Sequence, residues 1–150
     1  MNSRAFNFVV RRLRWLARVP LAPQIFDTFL LTWTALFNRQ RFRAIEAVEA
    51  ATLGWPGVER RVHRLGGMGF AVDGREFAHL HGNGLLDIHV SRRLADQWIE
   101  AGRAQPHHVF CRSAWVSVWL RAPEDAPQLL ELLEAGRLMS EKRSSDSGPA

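Results

Sequence analysis

The sequence predicts an α+β fold: an antiparallel sheet of about five strands, helices packed on one face of it, and a helical arm in front. Three observations lead there. Between Val58 and Val90 apolar residues come in short runs separated by glycine-rich turns, the pattern of a meander. Before Gly54 and after Ala126 they recur every three or four positions, the pattern of helices. A further strand pattern, Ala114–Leu120, follows a capped helix and a loop.

Taken in order, residues 4–19 place Phe6, Val9, Val10, Leu13 and Leu16 at helical spacing, with arginines filling much of the rest. This reads as a basic amphipathic helix. Pro20 and Pro23 then break or restart it. Residues 25–37 are the greasiest stretch, only 13 residues long and interrupted by Asp27. A transmembrane helix needs about 20 apolar residues, which excludes a simple span. The basic start suits a secretory leader, but no small-x-small cleavage site follows a clean apolar run. The two helices read as a hairpin that lies in a membrane interface or packs on the main domain.

Arg41–Leu53 is helical, with Phe42, Ile45, Val48 and Leu53 near one face, and Gly54-Trp55-Pro56-Gly57 ends it. Four strands follow: Val58–Leu65, Met68–Val72, Glu76–His81 and Leu85–Val90. Their turns are Gly66-Gly67, Asp73-Gly74 and Gly82-Asn83-Gly84. Ser91 caps a helix to Ala101 that faces Leu94, Ala95 and Trp98 inward and closes at Gly102. A loop carries Pro106, His107 and His108. Ala126–Leu138 is a closing helix with Leu129, Leu132 and Leu133 as its core face. The chain thus divides into an arm (1–43), an α+β domain (44–139) and a polar tail (140–150) expected to be disordered.

The charge is unevenly placed. Residues 1–43 hold eight arginines and one acid, a net +7; residues 44–150 hold 12 basic and 14 acidic residues, a net −2. Such an arm suits an anionic partner. An anionic membrane surface is favoured by the phenylalanine and tryptophan among the arginines; nucleic acid is the second reading. The one cysteine, Cys111, excludes an intramolecular disulfide and a cysteine-built metal site. It fits a reducing compartment, so a cytoplasmic protein, peripheral at the membrane, is the expectation.

The candidate site lies among the histidines. His79 and His81 flank Leu80 on a strand, so both rings point to one face. The Gly82-Asn83-Gly84 turn folds Asp87 back across from them, and His107 and His108 sit in a later loop. His79, His81, Asp87, His107 and His108 are therefore the candidate binding or catalytic residues, with no role assigned to each. Imidazole with carboxylate suits acid–base work, Asp87 orienting a ring, or a metal held by three ligands with an open position. The structural alternative has Asp87 capping the turn and the histidines bonded to backbone. No cofactor and no metal-ligand set is assigned. His63 and His89 read as ordinary. Ser113 lacks a nucleophile elbow and reads as a turn hydroxyl. Cys111 reads as buried filler before nucleophile, and Trp115 and Trp119, sharing a strand face, as core before pocket wall.

The run Arg75-Glu76-Phe77-Ala78-His79-Leu80-His81-Gly82-Asn83-Gly84-Leu85-Leu86-Asp87-Ile88, followed by His107-His108-Val109-Phe110 and Ser113-Ala114-Trp115-Val116-Ser117, resembles the luciferase domain-containing proteins of bacteria and fungi. The resemblance covers roughly residues 40–138. Ala114 and Ala78 stand where glycine is expected before the tryptophan and the histidine. A weaker likeness, in the order of strands and helices, runs to the MmcQ/YjbR-like domains. The resemblance implies a luciferase-like α+β domain with a His/Asp-lined site; the alternatives are a nucleic-acid-binding module and a metal-dependent enzyme.

Overall fold

The structure is a computed structural model that describes residues 21–64, 66–107, 111 and 113–146. The helix expected over 4–19 and the candidate residue His108 lie outside the described residues. Among the described residues four α-helices and six strands follow one another: α1 (Ala22–Phe37), α2 (Arg39–Leu53), β1 (Val58–Val62), β2 (Met68–Val72), β3 (Arg75–Leu80), β4 (Leu85–His89), α3 (Arg92–Glu100), β5 (Gln105–Pro106), β6 (Trp115–Trp119) and α4 (Ala126–Asp146). The strands form one antiparallel sheet in the order β1-β2-β3-β4-β6-β5. The expected α+β architecture is the observed one, with five main strands and a two-residue edge piece.

Local chemistry sets most boundaries. Pro23 sits in the first turn of α1, where its missing N–H costs nothing. Asn38 accepts the Arg41 amide and so caps α2, and Ser91 accepts the Leu94 amide and caps α3. Asp73 and Gly74 both take positive φ in the β2–β3 hairpin, as a two-residue primed turn requires. At the next turn Asn83 accepts the Leu85 amide.

Three expected boundaries need correction. The first strand stops at Val62 rather than Leu65; it is an exposed edge, and His63 turns away toward the histidine-bearing face. The last helix runs to Asp146, so residues 140–146 are helix and not a disordered tail. The polar composition misled because Glu, Lys and Arg are good helix formers. Tertiary contacts hold the extension: Ser140 is buried, Arg137 pairs with Glu141 one turn on, and Arg75 on β3 donates to the Arg143 carbonyl at 3.2 Å. The 43/44 boundary drawn between arm and domain falls inside α2.

The two faces of the sheet differ. One buries Phe70, Phe77, Leu86, Ile88 and Val116 under Ile45 and Val48 of α2, Trp98 of α3, and Leu129, Leu132 and Leu133 of α4. By strand alternation the other face carries His79, Asp87, Ser117 and Trp115. Helix α1 closes one end of that second face, packing Phe26 and Leu30 on Leu85 and Trp119. It lies so close to the β3–β4 turn that a Cβ on Gly82 would stand 2.7 Å from Leu31 Cα, so only glycine fits there.

Candidate functional site

Cross-strand register assembles the site. His79 on β3 lies opposite Asp87 on β4, and Asp87 lies opposite Ser117 on β6. The three side chains share one face, and β4 is a central strand, so Asp87 is fully buried at 0% exposure. A bare carboxylate there would be prohibitively costly unless paired. Ser117 Oγ donates to Asp87 Oδ1. Around Oδ2 stand three imidazole nitrogens: His79 Nε2 at 3.2 Å, His107 Nε2 at 3.6 Å and His81 Nε2 at 3.7 Å. All three histidines are buried. Four of the five candidate residues thus converge on one point, and the reading of Asp87 as a turn cap is excluded because Asn83 has that job.

The other nitrogens of the His-Leu-His pair are held by acids that the sequence did not single out. His79 Nδ1 lies 3.0 Å from Glu76 Oε1, and His63 Nδ1 lies 2.7 Å from the same oxygen, with the His63 and His79 rings stacked at 3.7 Å. Glu76 and His79 are three apart in β3 and should face opposite ways. The β2–β3 register shifts so that Phe70 and Ala71 oppose Ala78 and Glu76; Phe77 is the extra residue, and this bulge brings Glu76 to the histidine face. Gly69 makes room for it, since a Cβ there would meet Glu76 Oε2 at 2.7 Å. His81 Nδ1 lies 3.2 Å from Asp27 Oδ1, which also accepts the Gly82 amide at 3.0 Å.

The electrostatics follow from these pairings. Burial alone would raise Asp87, but hydrogen bonds and charge from His79 and His81 hold it well below the usual carboxylate range. Burial likewise opposes ionisation of Glu76, yet the hydrogen bonds with His63 and His79 bring it down to about 2. Burial would lower His81; Asp27 and Asp87 outweigh it and raise the ring to about 9. His89 lies apart, lowered to about 4 by burial and then by Arg143. Among the described residues two groups could hold a metal ion, the donor atoms of each lying within 4.8 Å of one another: His79, Asp87 and His107, all buried, and His63, Glu76 and His79.

The family description "luciferase domain" matches residues 74–136. Over that segment the chain is similar to a luciferase domain and is in that sense luciferase-like. The match runs from the start of β3 into α4 and includes His79, His81, Asp87, His107 and Ser117, whereas Asp27 and His63 lie upstream of it. No curated protein and no solved structure matches the chain, so the likeness to MmcQ/YjbR domains gains no support.

Within the luciferase-like domain the remaining expectations sort cleanly. Ser113 accepts the Trp115 amide at 3.2 Å, the strand-start role expected of it. Trp115 is half-buried and lies against the imidazoles, 5.0 Å from His79 and 6.2 Å from His107, so it walls the site instead of filling the core. Cys111 is exposed and is not buried filler. The residues that sequence reasoning passed over are Asp27, His63, Glu76 and Ser117. Two left a signal. Asp27 is the one acid inside the greasiest stretch, and Ser117 is a small polar residue between two tryptophans on one strand face; both demanded a partner.

Proposed function

We propose that the luciferase-like domain holds a divalent first-row metal ion with His79, Asp87 and His107, and that this buried centre is where the protein binds and transforms its substrate. The observation that carries the reading is the convergence of three Nε2 atoms on Asp87 Oδ2 at 3.2, 3.6 and 3.7 Å. A carboxylate oxygen offers about two lone-pair sites, so three imidazoles cannot all donate well to it. Two of the three distances exceed the roughly 3.2 Å limit of a good N–H···O bond. The approaches of His79 and His107, 3.2 and 3.6 Å, suit neighbouring ligand atoms: with bonds of about 2.0–2.2 Å to a tetrahedral ion, adjacent donors stand roughly 3.3 Å apart.

The acid behind the His79 ring supports the same reading. Metal-bound histidine characteristically gives its other N–H to a carboxylate, which fixes the tautomer and aims the ligand nitrogen. Glu76 takes that position behind His79, a member of the proposed ligand set. Two imidazoles and one carboxylate suit iron(II) or zinc. His81 stands beside the ligand set, and Trp115 walls the side near His79 and His107.

The test is elemental analysis of protein purified without a histidine tag and supplied with zinc or, anaerobically, with iron(II). One ion per chain is expected, lost in His79→Ala and in Asp87→Asn and kept in His89→Ala. His89 touches Trp115 but stands outside the ligand set. No stoichiometric ion with either metal, together with no rise in melting temperature on adding it, would overturn the assignment.

A further inference from the structure

Helix α1 has two sides. Inward it buries Leu30 and Thr34 and sends Asp27 to His81 and the Gly82 amide. Outward it presents Leu21, Ile25, Phe29, Trp33, Leu36 and Phe37, each between 45% and 69% exposed. Spacings of three and four residues align these as one stripe along the helix. Phe29, Trp33 and Phe37 lie ring by ring along it, with centroids 6.1 and 4.3 Å apart. Two polar residues on the exposed side, Thr28 and Thr32, turn their hydroxyls back onto the Gln24 and Thr28 carbonyls at 2.8 Å. Their O–H donors are thus satisfied within the helix, which leaves the face less polar than its composition suggests.

Along the sequence, positive charge flanks the stripe on both sides. Residues 1–20 contribute five arginines and no acid, and Arg39 and Arg43 are exposed at the start of α2. The partner therefore has to bury apolar surface and neutralise cations together. A second copy docked stripe to stripe would bring like charges together. Nucleic acid meets the arginines and leaves the aromatic stripe in water. An anionic lipid surface meets both: tryptophan and phenylalanine sink to the headgroup boundary while arginines engage the headgroups. No described helix is long and apolar enough to cross a membrane, and α1, at 16 residues, spans only about 24 Å. It fits a helix lying in the plane of the interface.

We propose that this outward stripe is the surface by which the protein docks on anionic membranes. The test uses the full chain in co-sedimentation with vesicles of phosphatidylcholine alone or mixed with phosphatidylglycerol. Binding is expected with the mixed vesicles only, weakened by salt. It should fall roughly tenfold or more in a Phe29→Ser, Trp33→Ser, Phe37→Ser variant that keeps the wild-type melting temperature. Phe29→Ser alone, the milder change, should lower it measurably. Replacing Arg11, Arg12, Arg14 and Arg18 by glutamine should remove most of the salt-sensitive part. Failure to bind either vesicle, or unchanged binding by the serine variants, would overturn the proposal. So would a concentration-dependent dimer that disappears in the triple variant, because it would assign the stripe to a second copy.

Discussion

The two faces of the one sheet solve the same burial problem by different physics. Residues 116 and 117 on β6 are neighbours, both nearly inaccessible, yet Val116 joins an apolar core while Ser117 donates to a buried carboxylate. On the helix face water is excluded from atoms that gain by its absence, at about 25 cal/mol for each Å² covered. On the histidine face it is excluded from groups that lose their hydration, and every one must be compensated by a neighbour. The first face tolerates exchange of one apolar side chain for another of similar volume. The second has a fixed inventory of donors, acceptors and charges, which is why its members reach in from distant segments, Asp27 from α1 and His107 from the edge beside β5. The helix face holds the fold, and the histidine face carries the proposed metal site.

The largest expected effects test that division. Phe77→Ala empties a fully buried site on the helix face, and it should cost about 3–5 kcal/mol in urea or thermal unfolding. The metal bound per folded molecule should stay as in the wild type. A loss of metal out of proportion to the loss of folded protein would break the comparison, and Phe77 is a demanding case because the bulge it forms also sets the direction of Glu76. Asp87→Asn on the other face should reverse the pattern. It preserves the shape and removes the charge, so metal binding should be abolished. The metal-free protein should lose about 1–3 kcal/mol, the cost of a buried polar group left mismatched. Metal retained at wild-type level in Asp87→Asn would remove Asp87 from the ligand set.

How much of this was legible in the sequence follows the same line between the faces. Period-two and period-three-to-four patterns are written in apolar residues, so the helix face, its strands and Ser91 as a cap could be read directly. The pair His79 and His81 and their approach to Asp87 followed from strand alternation and a short turn. Glu76 could not be found that way, because the bulge at Phe77 inverts the alternation and nothing in the residue types announces it. His63 sits beyond the end of β1, where the strand was read three residues too long. In the sequence Asp27 is only a flaw in a membrane span; that it reaches a turn 55 positions later depends on how α1 docks at Gly82, which is a tertiary fact. The helical end of α4 was missed for a related reason: its polar residues are held by Arg75 on β3 and by their own turn.

Smaller changes sharpen the comparison inside the histidine face itself. Glu76→Gln keeps a hydrogen-bonding side chain behind His79 and removes the charge that orients the ring. Metal should still bind, with affinity reduced about 10- to 100-fold, the usual loss when the partner of a ligating histidine is changed. Asp27→Asn should have a weaker effect on the metal, since it stands behind His81 and not behind one of the three ligands. Competition titration against a chromophoric chelator measures both. Equal losses in the two variants would place His81 in the coordination shell alongside the other three.

The finest test sets Val116→Ala against Ser117→Ala on adjacent residues of the same strand. Val116→Ala removes two methyl groups from a packed site and should cost about 2–3 kcal/mol with metal or without it. Ser117→Ala deletes one donor to Asp87 and adds no cavity of consequence, so its cost should be about 1 kcal/mol in the metal-free protein. Adding metal should recover part of that loss, because an ion bound to Asp87 takes over the compensation that the hydroxyl supplied. Unfolding both variants in chelator and in excess metal gives four numbers. A metal-dependent cost at position 117 beside a metal-independent cost at 116 is what two physically distinct faces require. Equal behaviour at both positions would mean that the carboxylate draws its stability from packing alone.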